Sequence, residues 1–304
     1  MYNNLTNHLL NVASGSDWAQ FNRTTQEVIN QAMLLQSSKL VKVSRKKTKR
    51  EIAAHQFAMQ RAMEEAMNPE EVQIPCHIRP ATADDMEAVA AIYNQEVEKS
   101  YTVVDTQPIH ASRFLNLLNI CKTLHQPFVV AVDGWHRPDV DSSNQVIHGF
   151  CLVDSLAKGI MGSRDTSTKC CGKITLVVQP DFRLKKIGTA LLDVIMNCCS
   201  TKHSSRQGYQ WVCDPNDTTH VSPPHNSRNW DILHMEVLVK SGKSVEEVKE
   251  REKWIIDFLE SKFLLILNKH DDHFCYHPTL ETGGGTRYWL DRFIFEHRSR
   301  DYNM

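Results

Sequence analysis

One stretch, Lys173 to Asn197, constrains the fold of this chain more than any other. It opens as a β-branched strand, Lys173-Ile174-Thr175-Leu176-Val177-Val178, and turns through Gln179-Pro180-Asp181-Phe182. A basic loop follows, Arg183-Leu184-Lys185-Lys186-Ile187-Gly188, and then an apolar helix from Thr189 to Met196. The first amides of a helix lack acceptors, and its dipole is positive at that end. With an arginine and two lysines beside it, such a junction suits a pyrophosphate or a similar anion.

The remaining composition sets limits around that junction. A chain of 304 residues can bury roughly 75% of its unfolded surface, enough for one sizeable core with appendages. The net charge of −1 gives no reason to expect a nucleic-acid partner. No apolar run approaches the roughly 20 residues needed to span a bilayer, so no membrane role is expected. Nine cysteines, an odd number, occur without a C-x-x-C pair, as thiols kept reduced do. The first residues lack the charged and apolar regions of a signal peptide. The expected location is the cytoplasm or the nucleus.

Residues 1–70 read as an N-terminal extension, disordered in part, with a helix from about Arg45 to Met67. Seven cations and no acid lie between Lys39 and Arg50, and Asn68-Pro69 ends that helix. A compact domain is expected over 74–298, with 299–304 as a tail. Its first strand is Cys76 to Arg79. Thr82 and Asp85 then cap a helix that places Met86, Val89, Tyr93 and Val97 on one face. A second helix covers Ile109 to Cys121, and Phe128–Val132 and Val146–Asp154 are strands. Polar insertions, 135–145 and 155–171, flank the second of these. Beyond the junction, Tyr209–Cys213 and Ile232–Val239 are strands. Ser244-Val245-Glu246-Glu247 forms a capping box opening a helix to about Lys262, and Phe263–Leu267 and Tyr288–Glu296 complete the domain. Consecutive strands flanked by helices indicate an α/β (α+β) fold with a mixed sheet.

This order, β-α-α-β-β-β-α-β-α-β-β, resembles the GNAT superfamily of acetyl-CoA-dependent N-acetyltransferases. Three local runs carry the resemblance. Ile78-Arg79-Pro80-Ala81-Thr82 with Asp84-Asp85 is similar to the opening strand and cap. Ile92-Tyr93-Asn94-Gln95-Glu96-Val97, Ser100 and Val104-Asp105-Thr106-Gln107-Pro108 look like the phosphinothricin-acetyltransferase-like branch, as does Trp289-Leu290-Asp291. The resemblance covers about Ile74 to Arg298. It implies a mostly antiparallel sheet flanked by helices, acetyl-CoA as cosubstrate, and a small-molecule primary amine as acceptor, attacked directly in a ternary complex. It is compatible with a homodimer. Arg183 to Gly188 occupies the family's R/Q-x-x-G-x-G/A motif, which implies that Arg183, Leu184, Lys185, Lys186, Ile187, Gly188 and Thr189 hold the CoA pyrophosphate. Val177 and Val178 would pair with the pantetheine arm, one of them serving as oxyanion donor. Lys186 stands at the motif's middle glycine, and the helix propensity of lysine favours an ordinary helical φ there.

The same resemblance implies a glutamate where Lys173 stands, so the general base must lie elsewhere. Glu236 and His234, which alternate onto one face of their strand, and Asp154 at the end of its own, are the candidates. Tyr209 or Tyr288 would reprotonate the CoA thiolate. A CoA-binding or protein-interaction module without turnover is the rival reading. Two other motifs lead nowhere. Gly242-Lys243-Ser244 lacks the P-loop's first glycine, since Val237 stands there. His273, Cys275 and His277 would share a strand face as metal ligands, but their run falls in the expected turn between the last strands, so no metal is assigned.

Overall fold

The computed structural model describes residues 74–100, 102–136, 145–157, 168–206, 208–242, 244–278 and 287–300. The N-terminal extension, including the basic helix expected there, lies outside them. The strands are β1 (Cys76–Pro80), β2 (Phe128–Asp133), β3 (Ile147–Ser155), β4 (Cys171–Val178), β5 (Gln210–Trp211), β6 (Ile232–Lys240), β7 (Ile266–Pro278) and β8 (Arg287–Arg298). The helices are α1 (Met86–Lys99), α2 (Ala111–Thr123), α3 (Ile187–Cys199), α4 (Val245–Arg251) and α5 (Lys253–Phe263). One sheet holds all eight strands in the order β5-β1-β2-β3-β4-β6-β8-β7. Only β1–β5 and β4–β6 run parallel.

Helices cover both faces, which is why β3 is buried along nearly its whole length. On one face, Phe128, Val130, Phe150, Leu152 and Val177 pack under Met86, Val89, Phe114 and Leu118 of α1 and α2. On the other, Val129, Cys151, Ile174 and Met235 pack under Leu191, Leu192 and Ile195 of α3 and Phe263 of α5. The short 3-10 turn Ala83–Asp85 that leads into α1 is pinned by chemistry visible in its sequence. Asp85 accepts a bidentate pair from Arg79 at 2.7 and 2.8 Å and closes a capping box with Thr82. Burial works to raise the Asp85 pKa, but the Arg79 and Thr82 hydrogen bonds outweigh it and hold the carboxyl below its usual range.

The defining break in the sheet lies between β4 and β6. They pair only from Cys171/Ile232 to Ile174/Met235. Past that point β4 continues through Thr175–Val178 alone on this side, while β6 stays paired with β8 up to Lys240/Leu290. The strands diverge and leave a wedge-shaped gap in the middle of the sheet.

Several expected elements take other forms. The helix opened by Ser244 breaks at Glu252, which leaves helical ψ (φ −97°, ψ 12°) and separates α4 from α5. Of Tyr209–Cys213, only Gln210 and Trp211 pair, at the sheet edge beside β1. The run His270–His277 belongs to β7 instead of a turn. Register shifts in β7 between Leu267 and Lys269 and between Asp271 and Cys275, with His273 at φ 48°, break the alternation that would put His273 and Cys275 on one face.

Candidate active site

A cavity of about 400 Å³ fills the wedge. One wall is β4 from Lys173 to Val178, and the other is Met235, Glu236 and Leu238 of β6. The roof comes from Tyr93 and Glu96 of α1 and from Thr102 to Asp105 after it, and Arg183 stands at one end. Asn94 ties the chain just beyond this segment to the helix: its side chain donates to Ile109 O at 3.0 Å and accepts from Ile109 N at 2.7 Å.

Backbone alternation decides what β4 offers the cavity. The amide of Gln179 donates to His148 O on β3 at 2.8 Å, whereas Val178 O faces away from β3 and accepts from Arg183 Nε at 3.1 Å. Odd-numbered residues therefore bond to β3 and even-numbered ones face the gap. The amides of Val178 and Leu176 point into the wedge. Val177 lines it with its side chain, while its amide is turned toward β3.

The basic loop is built on an aromatic anchor. Phe182 stacks on His148 with ring centroids 3.6 Å apart, and Lys185 Nζ lies 4.6 Å from its ring centre. Leu184 and Lys186 both take the left-handed conformation at φ 61°. The expectation of a helical φ at Lys186 is therefore wrong: the chain must reverse sharply between the turn and α3, and the residue before the helix absorbs that reversal. A β-carbon in this region costs about 1–2 kcal/mol per residue, and such strain gathers where a loop must hold a set shape for function. Leu184 is fully exposed, so the fold itself makes no use of its side chain. Helix α3 then starts with buried Ile187, and its first internal bond runs from Ala190 N to Lys186 O at 3.0 Å. The amides of Ile187, Gly188 and Thr189 precede that bond and point out of the helix end.

The charges of the cavity are paired. Arg183 reaches across the mouth to buried Glu96, whose other oxygen accepts from Thr102 Oγ1 at 2.7 Å. Lys173 Nζ lies 2.6 Å from Glu236 Oε2, and Arg292 lies 3.6 Å from the same carboxylate. Tyr93 donates to Asp105. Burial, then that bond, pushes the Tyr93 phenol well above its ordinary pKa.

Of the three candidate bases, only Glu236 lines the cavity. His234 shares its strand face but sits 3.6 Å from Glu296 of β8. Asp154 lies opposite Lys173 in the β3–β4 register, and its Oδ1 accepts from Ser155 N at 2.7 Å. Tyr209 is on the wrong side of the sheet for an acid: it packs against the α3-covered core and gives its hydroxyl to buried Asp193 at 2.6 Å. The side chain of Tyr288 lies outside the described residues. Glu96 and Asp105 entered the sequence reading only through the resemblance, Tyr93 also as a residue of the helix face, and Thr102 not at all. For Thr102 and Asp105 the local signal is the polar, Pro-ended segment after an amphipathic helix.

No protein-family profile matches the chain, and no curated protein matches it. Solved structures do overlay on it. An N-acetyltransferase from Staphylococcus aureus, 15% identical, covers 74% of this chain and 99% of its own with a TM-score of 0.46. A GNAT superfamily phosphinothricin acetyltransferase from Sinorhizobium meliloti in complex with acetyl-CoA is 12% identical over 74% and 89%, TM-score 0.44. A ribosomal-protein-alanine N-acetyltransferase from Brucella melitensis is 14% identical over 73% and 98%, TM-score 0.43. These overlaps span about three quarters of this chain. The fold is a mixed, mostly antiparallel eight-stranded sheet flanked by helices and opened between β4 and β6. No helix among the described residues is long and apolar enough to cross a membrane.

Proposed function

We propose that this chain is an acetyl-CoA-dependent N-acetyltransferase acting on a small-molecule primary amine. The observation that carries the reading is the wedge: a strand edge left open inside a sheet, running from Lys173 to Val178 and ending at Arg183 of the loop that precedes α3. Loop and helix amides at Ile187, Gly188 and Thr189, with Arg183, Lys185 and Lys186 nearby, are suited to the pyrophosphate. Leu176 and Val178 offer main-chain groups to an extended amide-bearing arm, and one of their amides can meet the oxyanion that forms during acyl transfer. Glu236 is the carboxylate best placed to take a proton from the attacking amine. Catalysis would consist chiefly of positioning two reactants in one groove.

Calorimetry with CoA and a turnover assay over an amine panel test the reading together. Glu236→Gln should bind CoA as wild type does and lose about 100-fold or more in kcat. An unchanged kcat would remove Glu236 from the chemistry. Absence of CoA binding by the wild type would end the whole reading.

A further inference from the structure

We propose that Lys173 is itself an acetyl acceptor, so that the cleft acetylates its own side chain. The inference rests on the acetyl-CoA reading above. Among the described residues, Lys173 is the one lysine lining the cavity. Its side chain is 36% exposed, so reactant can reach it, and its Nζ is held 2.6 Å from Glu236 Oε2. Paired this way Lys173 is an ammonium, and it becomes a nucleophile once it yields a proton; Glu236 is the carboxylate in hydrogen-bond reach to take it.

The groove also points the right way. From Val178, next to the phosphate-suited end, to Lys173 is five residue steps along β4, about 17 Å at roughly 3.3 Å per residue. An acyl donor anchored at α3 and laid along Val178 and Leu176 therefore advances toward Lys173. Lys173, Thr175 and Val177 share one strand face, the face roofed by Tyr93 and Glu96, so the amine and the donor's path lie in the same compartment.

The step balances without a further reactant. The Lys173 ammonium gives one proton to Glu236, and the freed amine attacks the thioester carbonyl carbon. A C–N bond forms and the C–S bond breaks. A second proton ends on the CoA thiol, the third stays on the amide nitrogen, and Glu236 returns its proton to solvent. The product loses the cation facing Glu236 and leaves Arg292 as that carboxylate's ionic neighbour.

The test is intact-mass and peptide-mapping analysis of the full chain incubated with acetyl-CoA and no amine, beside calorimetry with CoA. Lys269, 61% exposed and outside the cavity, reports ordinary chemical acetylation. Lys173 should take up one acetyl group at a rate independent of protein concentration and at least about 10-fold faster than Lys269. Glu236→Gln should slow Lys173 by a similar factor and leave Lys269 unaffected. Lys173 left unmodified while CoA binds, or modified no faster than Lys269, or equally fast in Glu236→Gln, overturns self-acetylation and leaves the cofactor reading standing. No CoA binding overturns both.

Discussion

Gly188 offers a change in which stability and ligand affinity should move in opposite directions. The residue lies in the first turn of α3 with ordinary helical backbone. A β-carbon built there would meet Val178 Cγ2 at 3.5 Å and Leu176 Cδ2 at 3.7 Å, both ordinary contacts. Nothing in the fold therefore demands glycine. Alanine is better than glycine by about 0.5–1 kcal/mol in mid-helix, and about 0.5 is reasonable so near an end. At about 2–4 °C per kcal/mol for a domain of this size, Gly188→Ala should raise the Tm of the ligand-free protein by about 1–2 °C. The added methyl, however, stands over Leu176 and Val178, on the strand segment along which the proposed cofactor arm would lie. Loss of one close approach there should weaken CoA at least about tenfold, about 1.4 kcal/mol. Thermal unfolding and calorimetry on the same sample measure both quantities. A lowered Tm would contradict the packing around α3. A raised Tm with unchanged CoA affinity would remove the loop from the binding site.

Lys186→Gly should remove about 1–2 kcal/mol of left-handed strain against about 0.4–1 kcal/mol of added unfolded-state freedom. A urea midpoint equal to or slightly above wild type is expected, with weaker CoA binding from the lost cation. Asp193 is fully buried and accepts from His203 at 2.7 Å, Ser205 at 3.0 Å, the Arg206 amide and Tyr209 at 2.6 Å. Asp193→Asn should cost about 3–5 kcal/mol, read as a lowered urea midpoint. His297 is buried between Ser200 Oγ and Leu264 O, and burial lowers its pKa from 6.5 to about 4. Between those values the unfolded chain binds the proton and the folded one does not. Stability should therefore fall by about 3 kcal/mol as pH drops from about 6.5 to about 4. Urea titrations across that range should flatten in His297→Gln; an equally steep loss would exonerate the histidine.

What was legible in the sequence followed local rules. Strands β1 to β4 and helices α1 to α3 show their periodicity, and Thr82–Asp85 shows its cap. The face that Glu236 shares with His234 was legible as well, because strand alternation sets it, but which of the two lines the cavity was not. The failures came from forces that act between distant segments. The conformation of Lys186 is set by how the chain must turn from β4 into α3, and helix propensity cannot sense that. Tyr209 reads like any strand tyrosine until Asp193, sixteen residues earlier on α3, claims its hydroxyl. The pairing of Arg183 with Glu96, 87 residues apart, has no local signature at all. β7 runs longer than its apolar pattern suggests because β8 supplies the partner, even for the polar stretch from His270 to Asp271.

The unpaired length of β4 has a further consequence. Sheets expose raw edges at their margins, where charges, bulges and short strands discourage another chain from adding on. Here a comparable edge lies in the interior, shielded by depth and by the roof of α1 instead of by such devices. It discriminates by thickness: an arm carrying its own amides can slide in as a substitute strand, whereas a folded competitor cannot pass beneath Tyr93 and Glu96. Under the proposed acetyl-CoA reading, the missing neighbour of β4 is a place for an extended arm, and the sheet would become continuous only when that arm arrives.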